Sequence, residues 1–235
     1  VMTATRPTIA FAWKELSRFA SCYRVEHIHA LLVLVSHLRR TRDQALVLTG
    51  QTGSRGSLRA FCDADWNNSD KQRSTTGFIV FYDNSPIAWA SKTQRASSKS
   101  TCEAELIALS TCASEVLHLR RLNDSLDDSV SYEPSTVQMI GAKSSDTPSI
   151  EDAKLFSDSS SALAVAAKPP GFIDERMRHV RTSYFFFRQQ VNAGTLKLLK
   201  VSGTDNPSDL LSKGFSKIKE KFDTPDHQRK AKSTS

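Results

Sequence analysis

Gly77-Phe78-Ile79-Val80-Phe81-Tyr82, preceded by Leu58-Arg59-Ala60-Phe61 and followed by Pro86-Ile87-Ala88-Trp89-Ala90, is the stretch that decides the fold. All three runs read as strands, and the gaps between them suit hairpins. From about residue 101 to 122 the pattern changes to that of a helix, with Leu106, Leu109, Ala113, Val116, Leu117 and Leu119 apolar. Further on come a strand over 154–156, a helix after Asp158, a helix near 177–191, a strand over 195–201 and a helix beginning near Pro207. Parallel neighbours need an intervening crossover. The order therefore implies an α/β fold whose mixed five-stranded sheet has three antiparallel strands, then parallel additions, with helices on its faces.

Working outward, Gly50-Gln51-Thr52-Gly53-Ser54-Arg55-Gly56-Ser57 has three glycines and no apolar residue, which marks residues 50–57 as a linker. Before it, residues 7–19 place Ile9, Ala12, Trp13, Leu16 and Phe19 at helical spacing. A second helix over about 26–40 has its apolar side at Ile28, Leu31, Leu32, Val35 and Leu38. Residues 123–153 are rich in Asp, Ser, Thr and Pro and read as a polar insertion without structure of its own. The chain beyond about Lys213 is basic and polar, and 223–235 reads as a flexible tail.

Composition limits the partners. Among 235 residues, 32 Lys+Arg stand against 25 Asp+Glu, a formal charge of +7 that favours polyanions without establishing one. Cys22, Cys62, Cys102 and Cys112 form no metal-ligand spacing and no disulfide framework. No apolar run approaches a membrane span, and the opening residues lack a signal peptide's layout, so the expectation is an intracellular, reducing compartment.

Four acids stand where chemistry could be done. Asp63 follows the first strand and Asp158 follows the fourth; each also reads as a turn former or a helix cap. Glu103-Ala104-Glu105 opens the long helix just ahead of Leu106, so one of these acids faces the sheet, and Glu103 is the better candidate for a solvated or capping role. Asp209 lies in the first turn of the last helix, where the helix dipole favours an acid in any case. Strand ends and helix starts meet at one edge of such a sheet. Carboxylates converging there need cations, and oxygen ligands favour Mg²⁺ or Mn²⁺. Two such ions about 4 Å apart suit in-line phosphodiester displacement.

Cys62-Asp63-Ala64-Asp65-Trp66, Arg73-Ser74-Thr75-Thr76-Gly77-Phe78, Pro86-Ile87-Ala88-Trp89-Ala90-Ser91-Lys92 and Glu103-Ala104-Glu105 together resemble the ribonuclease H domains of copia-type retrotransposons. Asp158-Ser159-Ser160-Ser161-Ala162-Leu163, Arg178-His179-Val180 and Asp209-Leu210-Leu211-Ser212-Lys213 are similar to later motifs of the same family. The likeness covers about residues 58–222, and residues 1–49 look like the helical end of the reverse transcriptase preceding that domain in the polyprotein. The resemblance implies a ribonuclease H-like fold. It also implies a nuclease that cuts the RNA strand of an RNA–DNA hybrid, with Asp63, Glu105, Asp158 and Asp209 as catalytic metal ligands and two Mg²⁺ (or Mn²⁺) ions as cofactors. The upstream reverse transcriptase is the implied protein partner, and a cytoplasmic virus-like particle the implied location. Arg73, Lys92, Arg95, Lys99 and Lys213 are candidates for phosphate contacts, and His179 for an accessory role.

The chain departs from the family pattern at Ser159-Ser160 for Asn-Gln, Leu106 for Tyr, Arg181 for an acid and Gly214 for Pro. These departures motivate an alternative, a decayed module that binds hybrid or supports the polymerase without cutting. A related three-acid nuclease acting on DNA is the third reading.

Overall fold

The computed structural model describes residues 5–49, 56–66, 73–95, 97–130, 153–168 and 181–214. Five strands form one sheet: β1 (Leu58–Asp65), β2 (Thr75–Tyr82), β3 (Ser85–Thr93), β4 (Ala153–Ser157) and β5 (Leu196–Lys200), in the order β3-β2-β1-β4-β5. β1 pairs antiparallel with β2 and parallel with β4, and β4 pairs parallel with β5. This is the mixed sheet expected from the sequence. The helices are α1 (Ala10–Ser17, entered through a short 3-10 turn at Pro7–Ile9), α2 (Val25–Arg40), α3 (Thr101–Val130), α4 (Ser160–Ala166), α5 (Arg181–Asn192) and α6 (Asp209–Ser212).

Alternation along β1 and β2 sorts their side chains onto two faces. Leu58, Ala60, Cys62, Phe78 and Val80 join Leu106, Leu109, Cys112, Ala113 and Val116 of α3 in the main core, which Leu155, Ala162, Phe187 and Leu196 extend. The opposite face, carrying Phe61, Ile79, Phe81 and Trp89, packs on Ala10 of α1 and Leu211 of α6. Lys14 strengthens that contact by donating to Thr75 Oγ1 at 2.7 Å.

Several elements run beyond their sequence-based limits. β1 continues through Asp63 to Asp65, because its ladder with Gly77 and Thr75 is made by backbone groups and places no demand for apolar side chains. α3 continues to Val130, eight residues into the stretch read as a structureless insertion. Once a helix is nucleated, each added residue brings its own hydrogen bond, and an exposed turn needs no apolar face. Residues 131–152 of that insertion and the tail from 215 onward lie outside the described residues, as do 50–55 of the linker. In the first helix Ile9 and Ala10 are buried while Trp13 is exposed. In α2 the apolar side read from the sequence stays largely uncovered: Ile28, Leu31, Leu32 and Val35 are exposed, and Leu34 is buried instead.

Candidate metal centre

Asp63 lies toward the end of the central strand β1, directly opposite Gly77 of β2, and is almost wholly buried. Gly77 permits a close approach. A Cβ at that position would come within 2.6 Å of the Ser212 amide nitrogen and 2.8 Å of the Ser208 carbonyl oxygen. The missing side chain lets α6 rest on β2 beside Asp63. Asn206 fastens the loop before α6, donating from Nδ2 to the Cys62 carbonyl at 3.2 Å and accepting at Oδ1 from the Ser208 hydroxyl at 2.6 Å. Ser212 then donates its hydroxyl proton to Asp63 Oδ2. Asn206, Ser208, Ser212 and Gly77 all shape the site, and the sequence reading assigned a role to none of them. Their signal was the cluster of polar residues around the start of a helix, which also fits ordinary capping.

Glu105 reaches the same place from α3. It is buried and accepts from the Ala64 backbone amide, while its Oε2 has no hydrogen-bond partner among the described residues. Asp158 stands one residue past β4 and is half-buried. Oxygens of Asp63, Glu105 and Asp158 all lie within 4.8 Å of one another.

The fourth acid sits differently. Asp209 is outside that three-residue group and is joined to it through a cation: Lys213 Nζ lies 2.8 Å from Asp209 Oδ1 and 3.0 Å from Asp63 Oδ2. Lys213, expected as a phosphate contact, here turns its ammonium toward two carboxylates. The one-turn helix that carries Asp209 also brings residue 213 back over it at i+4 spacing.

The remaining expectations divide. Glu103 does cap α3, with its Oε2 accepting from the Lys99 backbone amide at 2.6 Å, but it is buried, not solvated. Arg73, Lys92, Arg95 and Lys99 are exposed, with the Lys92 ammonium 5.8 Å from the Phe78 ring centre. His179 lies outside the described residues. Among the departures from the family pattern, Leu106 is fully buried in the main core, Ser159 caps α4 by accepting from the Ala162 amide at 3.3 Å, and Ser160 meets Lys200.

Burial pushes the Glu105 carboxyl up to about 9, and the charges of Asp63 and Asp158 push the same way. Asp63 is raised to about 6, again chiefly by burial. Lys213 opposes that rise, Asp209 and Asp158 add to it, and the Ser212 hydrogen bond opposes it. Burial lowers the Lys213 ammonium, yet the two acids outweigh it and hold the group above its ordinary value. A cluster that resists losing its last proton is short of positive charge. Glu105 Oε2 is a buried oxygen with no partner, and the surrounding donors are hard carboxylate oxygens. Both features fit Mg²⁺ or Mn²⁺.

Sheet and cluster together define an α/β domain with an acidic centre built at the end of its middle strand. No protein-family model matches the chain. It is 30% identical over 215 residues to the retrovirus-related Pol polyprotein from transposon RE2 of Arabidopsis thaliana, covering 91% of this chain and 13% of that protein. To the retrovirus-related Pol polyprotein from transposon TNT 1-94 of Nicotiana tabacum it is 30% identical over 213 residues, covering 90% of this chain and 14% of that protein. The N-terminal ribonuclease H domain of Rv2228c from Mycobacterium tuberculosis aligns over 77% of this chain and 99% of that one at 12% identity. The TM-score of that alignment is 0.43. Over about nine-tenths of its length the chain is homologous to retrovirus-related Pol polyproteins of copia-type transposons, and it spans about an eighth of the length of those relatives.

Proposed function

We propose that this chain is a ribonuclease H-type endonuclease of a retrotransposon polyprotein. It hydrolyses the RNA strand of RNA–DNA hybrids with divalent metal ions held by Asp63, Glu105, Asp158 and Asp209. The observation that carries this reading is that Asp63, Glu105 and Asp158 each place an oxygen within 4.8 Å of the others, with Glu105 Oε2 buried and unpartnered among the described residues. Mg²⁺ or Mn²⁺ bound there would supply Lewis-acid activation of water and neutralise charge on the phosphodiester.

The chain's own residues do the positioning. The β1–β2 ladder, which sets Asp63 opposite Gly77, fixes the Asp63 backbone, and the Ser212 hydroxyl orients its Oδ2. Asp158, the most accessible of the three clustered acids, stands toward solvent, where a phosphodiester would arrive. Arg73, Lys92, Arg95 and Lys99 are exposed cations suited to holding phosphates, and contacts to 2′-hydroxyls would select the RNA strand. The upstream reverse transcriptase is the partner we assign to residues 5–49, where α2 leaves Ile28, Leu31 and Leu32 exposed.

The test is cleavage of an end-labelled RNA–DNA hybrid by the full chain with Mg²⁺ or Mn²⁺. Asp158→Asn should lower the rate more than the roughly 10–100-fold cost of losing a ligand's supporting hydrogen bond. Hybrid binding without cleavage would point to a decayed module. Equal cleavage by Asp158→Asn would remove the site from the mechanism.

A further inference from the structure

Of the basic side chains singled out in the sequence, Lys213 alone turns into the molecule. Its backbone stands one residue beyond α6 in an extended conformation, φ −116° and ψ 146°. From there its side chain, 24% exposed, reaches two carboxylates that come from the second half of the domain and from its first strand. Asp209 Oδ1 and Asp63 Oδ2 are both within hydrogen-bond distance of the one ammonium. Asp63 also belongs to the three-acid group with Glu105 and Asp158. It therefore has two neighbourhoods: one shared with two acids and one already holding a positive charge.

We propose that Lys213 is a tethered counter-ion of the Asp63–Asp209 pair, and that a divalent cation must displace its ammonium to bind those two carboxylates. The inference rests on the metal-binding reading above and adds an order of loading to it. An ammonium holds its oxygen partners near hydrogen-bond length, whereas Mg²⁺ draws oxygens in to about 2.0–2.1 Å, so the two cations cannot share the position. The flexible four-carbon stem lets the lysine leave. Without divalent ions the ammonium keeps two buried acids from facing each other unscreened. When ions are added, the three-acid group fills first and the Asp63–Asp209 pair fills second, because only the second event has to part Lys213 from both of its acids.

Calorimetric titration of the full chain with Mn²⁺ tests this. Wild type should show a tighter and a weaker class of site. Lys213→Gln and Lys213→Met should strengthen the weaker class at least roughly tenfold, the low end of what a unit charge at about 4–6 Å does to an ionic equilibrium. Both variants should melt at lower temperature in chelator, and Lys213→Arg, which keeps the charge, should bind Mn²⁺ nearly as wild type does. Placing Asp209→Asn beside Lys213→Gln should abolish the gain. Should a variant fail to fold, ¹⁵N NMR of the lysine ammonium groups in wild type gives the same answer: one protected signal in chelator that moves to the solvent-exposed position as Mg²⁺ is added. Unchanged Mn²⁺ affinity in the Lys213 variants, no Mn²⁺ binding by any form, or a protected ammonium signal that saturating Mg²⁺ leaves in place would each overturn the proposal. The metal-binding reading is judged separately, by whether Glu105→Gln removes the tighter class.

Discussion

Replacing Glu105 with glutamine should make the metal-free protein more stable at neutral pH, even though it removes a proposed metal ligand. Glu105 has a carboxyl raised from an ordinary value of 4.5 to about 9, with burial as the main cause. At pH 7 the unfolded chain has released this proton while the folded chain keeps it. A carboxyl raised on folding contributes its full share below the unfolded value and loses it as pH climbs toward the folded one. The cost to the fold is about 1.4 kcal/mol for each pH unit above 4.5, which comes to about 3 kcal/mol at pH 7 and less than about 1 kcal/mol at pH 5. Glutamine has nearly the same shape and no proton to lose. Its amide can donate toward Asp63 or Asp158 where Oε2 now lacks a partner, and its carbonyl can still accept from Ala64. For a domain of this size, about 3 kcal/mol corresponds to roughly 6–12 °C in melting temperature. The assay is thermal unfolding followed by circular dichroism in chelator, wild type beside Glu105→Gln, at pH 5 and pH 7. The variant should lead by several degrees at pH 7, and most of the lead should vanish at pH 5. A variant that melts at or below wild type at pH 7, or a gap that does not change with pH, would refute the reasoning.

Gly77→Ala should cost about 1–3 kcal/mol, the usual range for overpacking, because its Cβ would meet backbone atoms of Ser208, Leu211 and Ser212 and lift α6 away from Asp63; urea unfolding reads this directly, and an unchanged midpoint would contradict the packing described. Ile9→Ala should cost about 2–5 kcal/mol, since Ile9 is fully buried just ahead of the α1 residue that covers the sheet. A loss below about 0.5 kcal/mol by the same measurement would show that the segment before the glycine-rich linker does not hold the sheet domain together.

The sheet was legible because its strands carry apolar side chains on both faces, as Phe78 to Phe81 do, and a buried strand has no other way to be written. The three clustered acids were legible for the opposite reason: Asp63, Glu105 and Asp158 interrupt or border apolar runs where packing alone would not place a charge. What the sequence could not convey was direction. Lys213 looked like any basic residue in a polar stretch, and only the backbone turn of α6 points its ammonium at two acids. Nor could helical spacing say which side of α2 is covered, since Leu34 and its exposed neighbours Leu31, Leu32 and Val35 are equally apolar. The role of residues 7–17 was hidden by the linker that follows. Gly50 to Ser57 reads as a boundary by composition, yet Ala10 packs against Ile79 and Leu211 on the far side of it.

The strand order has a consequence that no single side chain carries. β1 and β4 run side by side in the same direction, but the chain leaves β1 toward β2 and β3 on one flank and leaves β4 toward β5 on the other. Where neighbouring parallel strands send their connections to opposite flanks, the departing segments part and open a crevice beyond the carboxyl ends of the strands. Asp63 and Asp158 sit at that parting. The strand order alone therefore brings both acids to one edge of the sheet, and substituting them would change the chemistry of that edge without moving it.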